Sequence, residues 1–325
     1  MVKHKIMSPK PILLLYIILL ISCGNDDSTA TENNENPVDE MSDNTTPTTF
    51  SEFNTIQYKD IQDVDPDLLS LDIFSFEDIN NKRPVVLWIH GGAWSVGDKT
   101  NQLENKIPYF EDLGYVFVST NYRLSPFPFE LDNPDRLKFP SHVEDIAASV
   151  NWIINNISDF GGDPNNIVIM GHSAGAHLVS LAAINPIYLQ DFNISTSIFK
   201  GVVVFDTQAF NIPLLLDSNQ SATTENIYLN AFGSNTNTWE AASPTLNIDN
   251  NQNLSENFFI VTRGNILRRN IQEDFSDTLE ANNINIAFID ADPLSHEGVN
   301  DVIGDTNDII ITPHLTTFLK NVFGE

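Results

Sequence analysis

Residues 167–184 read IVIMGHSAGAHLVSLAAI, an apolar β-branched run followed by a Gly-x-Ser-x-Gly motif and an Ala- and Leu-rich segment. The run predicts a buried strand and the last segment predicts a helix, so Ser173 falls at the turn between them. Gly171 and Gly175 allow strand and helix to approach closely there. Such a turn exposes the serine hydroxyl above the start of the helix, which makes Ser173 a candidate nucleophile. His172 is predicted to pack within the turn, with its side chain directed away from Ser173.

On both sides of this stretch, short apolar strands alternate with helical patterns. This succession is typical of an α/β fold in which helices cover both faces of a mostly parallel sheet. A segment at about 207–257 is rich in Asn, Ser and Thr without clear periodicity, and we interpret it as a cap or lid insertion. The strands are expected at 53–58, 69–76, 85–90, 115–121, 167–170, 201–205, 258–262 and 284–289, and the helices at 101–113, 141–157, 174–184, 270–282 and 306–323.

Residues 1–22 resemble an export signal, because three lysines precede a ten-residue apolar run at 12–21. That run is too short to cross a membrane as a helix. The next residue, Cys23, ends the sequence LISC, which resembles the lipobox of bacterial lipoproteins, where the cysteine is acylated. We therefore expect a signal peptide at 1–22, a polar tether at 23–50 and a folded α/β domain at 51–325, lipid-anchored in a bacterial cell envelope.

The composition limits the possible partners and redox chemistry. The chain has 44 acidic and 16 basic residues, and its formal net charge is −28. No basic stripe is present, which argues against nucleic-acid binding, since that depends on lysine and arginine at phosphates. Cys23 is the only cysteine, so an intrachain disulfide and a cysteine-based metal site are excluded. We expect no metal and no organic cofactor.

A second glycine motif lies upstream, where residues 85–94 read VVLWIHGGAW. This pattern predicts a strand that runs into a loop without bulky side chains, which leaves backbone amides exposed. The amides of Gly91 and Gly92, with that of Ala174, are candidate donors to an oxygen on which negative charge develops. Trp94 is expected to form a wall of the pocket for an acyl group.

Five motifs occur in order along the chain: HGGAW at 90–94, NYRL at 121–124, FPSHVED at 139–145, GGDP at 161–164 and GHSAG at 171–175. Over roughly residues 56–323 the chain resembles carboxylesterases related to hormone-sensitive lipase and bacterial feruloyl-esterase-like (BD-FAE-like) hydrolases. The resemblance implies the α/β-hydrolase fold and a serine esterase activity. It also implies structural roles for Asp145 and Asp163.

The resemblance assigns the base and leaves the acid open. His296, in the sequence SHEGVN after the last strand, matches the base-bearing loop of the family. The family carries an Asp shortly after the strand at 258–262, but residues 263–269 read RGNILRR and contain no carboxylate. The remaining candidates are Asp206 at the end of the preceding strand, Asp290 or Asp292 before the histidine loop, Asn265 as a neutral substitute, or no acid at all.

The expected reaction is transfer of an acyl group from an ester to water. Export and the resemblance suggest acetyl or feruloyl esters of carbohydrates as substrates. The alternatives are an arylformamidase-like hydrolase and an inactive hydrolase-fold lipoprotein that only binds. Arg268 and Arg269 follow a strand end where ligands bind in open sheets, so they are candidates for holding an anionic ester, unless they pair with surface acids.

Overall fold

The computed structural model describes residues 49–50, 52–248 and 253–325. The expected signal peptide, Cys23 and nearly all of the expected tether lie outside the described residues. Among the residues that are described, no helix is both long enough and apolar enough to cross a membrane.

Eight strands form one mixed sheet in the order β1-β2-β4-β3-β5-β6-β7-β8. The pairs β1–β2 and β2–β4 are antiparallel, and the other neighbours are parallel. All eight predicted strands are confirmed, although β5 begins at Gly162 rather than at 167. The strands are β1 Glu52–Gln57, β2 Ser70–Ser75, β3 Arg83–Ile89, β4 Val116–Thr120, β5 Gly162–His172, β6 Phe199–Phe205, β7 Asn257–Thr262 and β8 Asn285–Asp290.

The described α-helices are α1 Lys106–Leu113, α2 Ser141–Asn156, α3 Ala174–Ile184, α4 Ile212–Asp217, α5 Ala222–Phe232, α6 Thr236–Ala241, α7 Ile266–Ala281, α8 His296–Asp301 and α9 Thr312–Phe323. Five of them, α1, α2, α3, α7 and α9, correspond to the predicted helices. The short helix α8 was not predicted.

Helices α4, α5 and α6 occupy the segment that the sequence indicated to be irregular. The polar residues that obscured its periodicity include the N-caps of these helices. The side chains of Asn211, Ser221 and Asn235 accept hydrogen bonds from amides in the first turns of α4, α5 and α6. Such residues favour helix starts because they satisfy amides that have no partner within the helix.

The core lies on both faces of the sheet, as alternation along the buried strands requires. Leu87 and Ile89 of β3 pack on the side of α2 and α3. Val86 and Trp88 point to the opposite face, where Phe110 of α1 packs. The helices therefore cover both faces, as predicted, and leave the carboxyl ends of the parallel strands accessible at one edge.

Hydrogen bonds at that edge align the ends of β5, β6 and β7. The Ser173 amide donates to Phe205 O at 2.9 Å, and the Asp206 amide donates to Val261 O at 2.9 Å. Ser173 and Asp206 thus each lie one residue beyond the end of neighbouring parallel strands.

Candidate active site

The turn that carries Ser173 is tightly packed against β3. Ser173 has φ 55° and ψ −115°, a left-handed backbone that is rare for residues other than glycine. A Cβ on Gly175 would lie 2.2 Å from Ile89 O, and one on Gly171 would lie 2.5 Å from the Gly175 carbonyl carbon. The two glycines are needed because strand and helix leave no space for a side chain.

Ser173, His296 and Asp206 lie in hydrogen-bond contact. His296 Nε2 is 2.9 Å from Ser173 Oγ, and His296 Nδ1 is 2.6 Å from Asp206 Oδ2. His296 is the first residue of α8, which Ser295 caps through its hydroxyl and the Gly298 amide. Of the candidates for the acid, Asp206 is therefore the one that the structure places against His296.

The other three candidates have different partners, so we correct those alternatives. Asn265 accepts the Arg268 amide at 3.0 Å and caps α7. Asp290 binds Arg269, with two contacts of 3.0 Å. Asp292 accepts the Gly264 amide at 3.1 Å and also pairs with Arg269. None of these contacts involves His296, because the tip of β8 and the start of α7 engage one another instead.

The two adjacent arginines separate into different environments. Arg268 Nη1 binds Asp206 Oδ1 at 2.6 Å, and Arg268 lines the cavity above Ser173. Arg269 does not line that cavity, because Asp290 and Asp292 hold its guanidinium. For Arg269, the structure therefore favours the alternative of pairing with acids over contact with a substrate. Contact between Arg268 and a substrate carboxylate stays a prediction.

Arg263 was not singled out from the sequence, although it contacts the same carboxylate. Its Nη1 lies 3.1 Å from Asp206 Oδ2, and its Nε donates to Leu294 O at 3.0 Å. The available signal was the loop at 263–269 itself, with three arginines in a chain that has only 16 basic residues.

Charged neighbours keep Asp206 ionised although its side chain is fully buried. Burial acts to raise the pKa of Asp206, but the hydrogen bond from His296 and the charge of Arg268 outweigh burial and lower the pKa to about 2. The carboxylate is therefore an ionised acceptor for His296 throughout the neutral range.

The loop after β3 presents the expected amides. The hydrogen bonds of the described residues include none donated by the amides of Gly91, Gly92 or Ala174. Gly92 has φ 109°, and a Cβ there would lie 1.9 Å from Val96 O. A Cβ on Gly91 would lie 3.2 Å from the Ser173 Cβ. The glycines thus bring unoccupied amides to the nucleophile.

Trp94 is buried beside this loop and lines the cavity. Its Nε1 donates to His177 Nδ1 at 3.3 Å, and its ring meets Phe232 edge-on with centroids 4.8 Å apart. The position is that of a wall, as expected, but the acyl contact itself stays a prediction.

His172 faces the base rather than only the core. Its ring centroid is 4.5 Å from that of His296, and its Nε2 is 2.9 Å from His296 O. Burial lowers the pKa of His172 to about 3, so the ring is neutral and Nε2 is the donor to that carbonyl. The sequence indicated packing within the turn, away from Ser173, and gave no sign of the contact with His296, which arises because α8 packs directly onto the turn.

The cavity above Ser173 has a volume of about 670 Å³ and a mixed polar and apolar lining. Within the described ranges, no cluster of three His, Cys, Asp or Glu side chains is arranged to hold a metal ion. Besides the residues discussed above, the lining includes Asn101, Gln102, Thr207, Gln208, Thr224, Ile227, Tyr228 and Asn300.

Comparison with known sequences identifies similar proteins. The model of the BD-FAE family matches residues 71–265, more than half of the chain. A probable carboxylic ester hydrolase, LipM, of Mycobacterium tuberculosis is 39% identical over 109 residues, which are 34% of this chain and 23% of that protein. The para-nitrobenzyl esterase of Bacillus subtilis is 32% identical over 136 residues, 41% of this chain and 27% of that protein. The chain thus spans about a quarter of the length of these curated relatives.

Solved structures share the fold at low sequence identity. A truncated carbohydrate esterase from gut microbiota has a TM-score of 0.66 and 17% identity, over 86% of this chain and 98% of that chain. A bifunctional GH43-CE protein of Bacteroides eggerthii has a TM-score of 0.65 and 21% identity, over 84% of this chain and 35% of that one. These similarities agree with the α/β-hydrolase fold.

Proposed function

This chain belongs to the BD-FAE family, and we propose that it is a serine carboxylic ester hydrolase with Ser173, His296 and Asp206 as nucleophile, base and acid. The observation that carries the proposal is the unbroken hydrogen-bond chain from Ser173 Oγ through the imidazole to Asp206 Oδ2. A serine hydroxyl is a poor nucleophile unless a base accepts its proton, and the base works best when an acid fixes its tautomer.

In the proposed first step, Ser173 Oγ attacks the ester carbonyl while His296 Nε2 takes the hydroxyl proton. Asp206 Oδ2 accepts a hydrogen bond from His296 Nδ1–H and so stabilises the imidazolium. The amides of Gly91, Gly92 and Ala174 donate to the oxyanion of the tetrahedral intermediate. When the intermediate collapses, the ester C–O bond breaks and the leaving alcohol receives the proton from His296.

The second step returns the enzyme to its starting state. Water attacks the acyl group on Ser173 as His296 Nε2 removes a water proton. The tetrahedral intermediate then expels Ser173 Oγ, which recovers its proton from His296, and the carboxylic acid departs. Every proton is transferred through one imidazole, so the step needs no metal or organic cofactor in this proposal.

We propose an ester of a carbohydrate, such as an acetyl or feruloyl ester, as the substrate. Support comes from the cavity, where the side chains of Gln208 and Thr224 add amide and hydroxyl groups that suit a polyhydroxylated leaving group. Two proteins of similar fold are described as a carbohydrate esterase and a GH43-CE protein. A relation to the carboxylesterases that resemble hormone-sensitive lipase stays a prediction.

Labelling with a fluorophosphonate tests the proposed nucleophile without knowledge of the substrate. We expect wild type to react, Ser173→Ala to remain unlabelled, and hydrolysis of p-nitrophenyl acetate to fall at least ~10³-fold in Ser173→Ala. Equal labelling of both proteins would refute the proposed role of Ser173. A wild-type protein that resists the reagent would support a fold that binds without turnover.

The substrate class is tested separately. Gln208→Leu and Thr224→Val should raise KM for an acetylated xylo-oligosaccharide several-fold and leave p-nitrophenyl acetate unaffected, because only the sugar offers hydroxyl groups to these two side chains. Equal effects on both esters would contradict the carbohydrate assignment. Faster cleavage of an N-formyl aniline than of either ester would favour the arylformamidase alternative.

We also propose that the chain is exported and lipidated at Cys23 and so anchored to a membrane of a bacterial cell envelope, on the periplasmic or surface-facing side. This rests on the basic start, the apolar run and the LISC sequence. Cells given labelled palmitate should incorporate it into wild type and not into Cys23→Ala. Equal incorporation in the two proteins would contradict the lipobox interpretation.

A further inference from the structure

We propose that Arg263 and Arg268 are positioning residues that hold Asp206 as the acid, in the loop where related enzymes carry the acid itself. The inference rests on the proposed function, since it assigns a means of support to the same acid. The loop between β7 and α7 has no carboxylate and three arginines, and two of those arginines contact Asp206.

The three donors divide the two carboxylate oxygens between them. Oδ1 accepts Arg268 Nη1 at 2.6 Å, whereas Oδ2 accepts Arg263 Nη1 at 3.1 Å and His296 Nδ1 at 2.6 Å. Because Oδ1 is tethered by Arg268, rotation of the carboxylate is restricted. Oδ2 therefore stays directed at the imidazole.

The arginines also hold the backbone on either side of the acid. Arg268 Nη1 lies 3.3 Å from Asp206 O, at a residue with φ 47°, where a non-glycine backbone is strained. Arg263 Nε donates to Leu294 O at 3.0 Å, just before the Ser295 cap of α8. The Arg263 guanidinium thus links the end of β7 to Asp206 and to the segment that carries His296.

The charge balance gives a reason for cations beside Asp206. A buried carboxylate facing only a neutral imidazole would favour its protonated form, which could not stabilise an imidazolium. The charge of Arg268 and the hydrogen bond from Arg263 add to the hydrogen bond from His296 in keeping Asp206 ionised. Guanidiniums are weakly hydrated, always charged and planar, which suits such a buried site. Arg269, next in sequence, pairs with Asp290 and Asp292 instead, which makes it a matched control.

Other charged or titratable groups near His296 bear on the pH dependence. They act in wild type and variants alike, so a difference between proteins isolates the arginine. These groups are the neutral His172 against the imidazole ring, Lys106 behind His172, Glu297 next in α8 and Tyr228 of α5 near Arg268.

The experiment compares Arg268→Gln, Arg263→Gln, Arg268→Lys and Arg269→Gln with wild type. The rates of p-nitrophenyl acetate hydrolysis and of fluorophosphonate labelling are measured from pH 4 to pH 9, below the melting temperature of each protein. In Arg268→Gln and Arg263→Gln we expect kcat to fall about tenfold with KM nearly unchanged. The acid limb of kcat/KM should move up by about half to one pH unit.

The direction of that shift follows from both effects of losing a cation. Without the cation, Asp206 is easier to protonate. Where Asp206 stays ionised, its less compensated negative charge favours the imidazolium form of His296. As the pH falls, both effects therefore remove the active form at a higher pH than in wild type. Arg268→Lys keeps the charge and should leave the acid limb near its wild-type position. Arg269→Gln should match wild type in rate and in profile.

An acid limb in Arg268→Gln that coincides with that of Arg269→Gln would overturn the proposal, as would an equal shift in Arg268→Lys. If wild type shows neither turnover nor labelling, the proposed function fails by itself. The NMR titration of the His296 ring then tests the positioning role directly. Its midpoint should rise in Arg268→Gln but not in Arg269→Gln, and an unchanged midpoint would refute the proposal.

Discussion

Asp206 shows how the neighbours of one side chain decide its chemistry. Asp206→Asn removes the charge and presents either an amide or a weaker carbonyl acceptor to His296 Nδ1. With the amide facing the ring, the tautomer that accepts the Ser173 proton is disfavoured. We expect kcat to fall ~10²–10⁴-fold with KM nearly unchanged, because the lost interaction belongs to the transition state.

Steady-state kinetics on p-nitrophenyl acetate measures this effect, with folding confirmed by thermal unfolding. Asp290→Asn is the control, since Asp290 lies at the end of β8 and contacts Arg269 rather than His296. A loss below about fivefold in Asp206→Asn would mean that Ser173 and His296 act without an acid.

At the scale of elements, the turn between β5 and α3 depends on the close packing of Gly175 against β3. A Cβ on Gly175 meets backbone oxygens of Ile89 at 2.2 Å and His90 at 2.7 Å, which a change of rotamer cannot relieve. Gly175→Ala must therefore separate α3 from β3. We expect a loss of about 3 kcal/mol or more in the free energy of unfolding, at the upper end for overpacked sites.

Urea unfolding measures this loss. The comparison variant is Gly324→Ala. Its added Cβ meets nothing within 4 Å, so only the left-handed backbone, with φ 80°, destabilises the folded state. Its expected cost is about 1 kcal/mol. If Gly175→Ala were no less stable than Gly324→Ala, close packing at the turn would not explain the glycine.

At the scale of the whole molecule, Lys106 connects the start of α1 with the end of α8. Its fully buried ammonium donates to Gln102 O and Asn300 O, each at 2.9 Å, and lies 4.8 Å from the Trp88 ring centroid. Burial lowers the pKa of Lys106 from 10.5 to about 7. The folded protein therefore releases this proton near pH 7, whereas the unfolded chain keeps it until about 10.5.

Between those pH values the unfolded chain binds more protons, so Lys106 makes the free energy of unfolding rise with pH. We expect the difference in this free energy between wild type and Lys106→Met to move in favour of wild type by about 2 kcal/mol from pH 7 to pH 9. Urea unfolding at the two pH values measures it. A difference that stays constant would show that Lys106 keeps its proton across this range in the folded protein.

The sequence by itself determined the local features of this protein. Alternation and β-branched runs located all eight strands, because the side chains of a buried strand must be apolar wherever the strand lies in the sheet. The glycine spacing around Ser173 determined its turn, and the SHEGVN stretch pointed to His296. By contrast, α4, α5 and α6 escaped prediction because α4 and α6 have only six residues each and all three helices begin with polar caps, which obscure the hydrophobic period.

Only the tertiary structure decided which acid meets the base. Asp206 and His296 are 90 residues apart, and Ser173 and His296 are 123 apart. Asp206 reaches the imidazole because β6 lies next to β5, which aligns the carboxyl ends of the two strands. Asp290 and Asp292, nearer to His296 in sequence, are held by Arg269 instead. Contacts between strand ends depend on the order of strands in the sheet, which local sequence patterns do not specify.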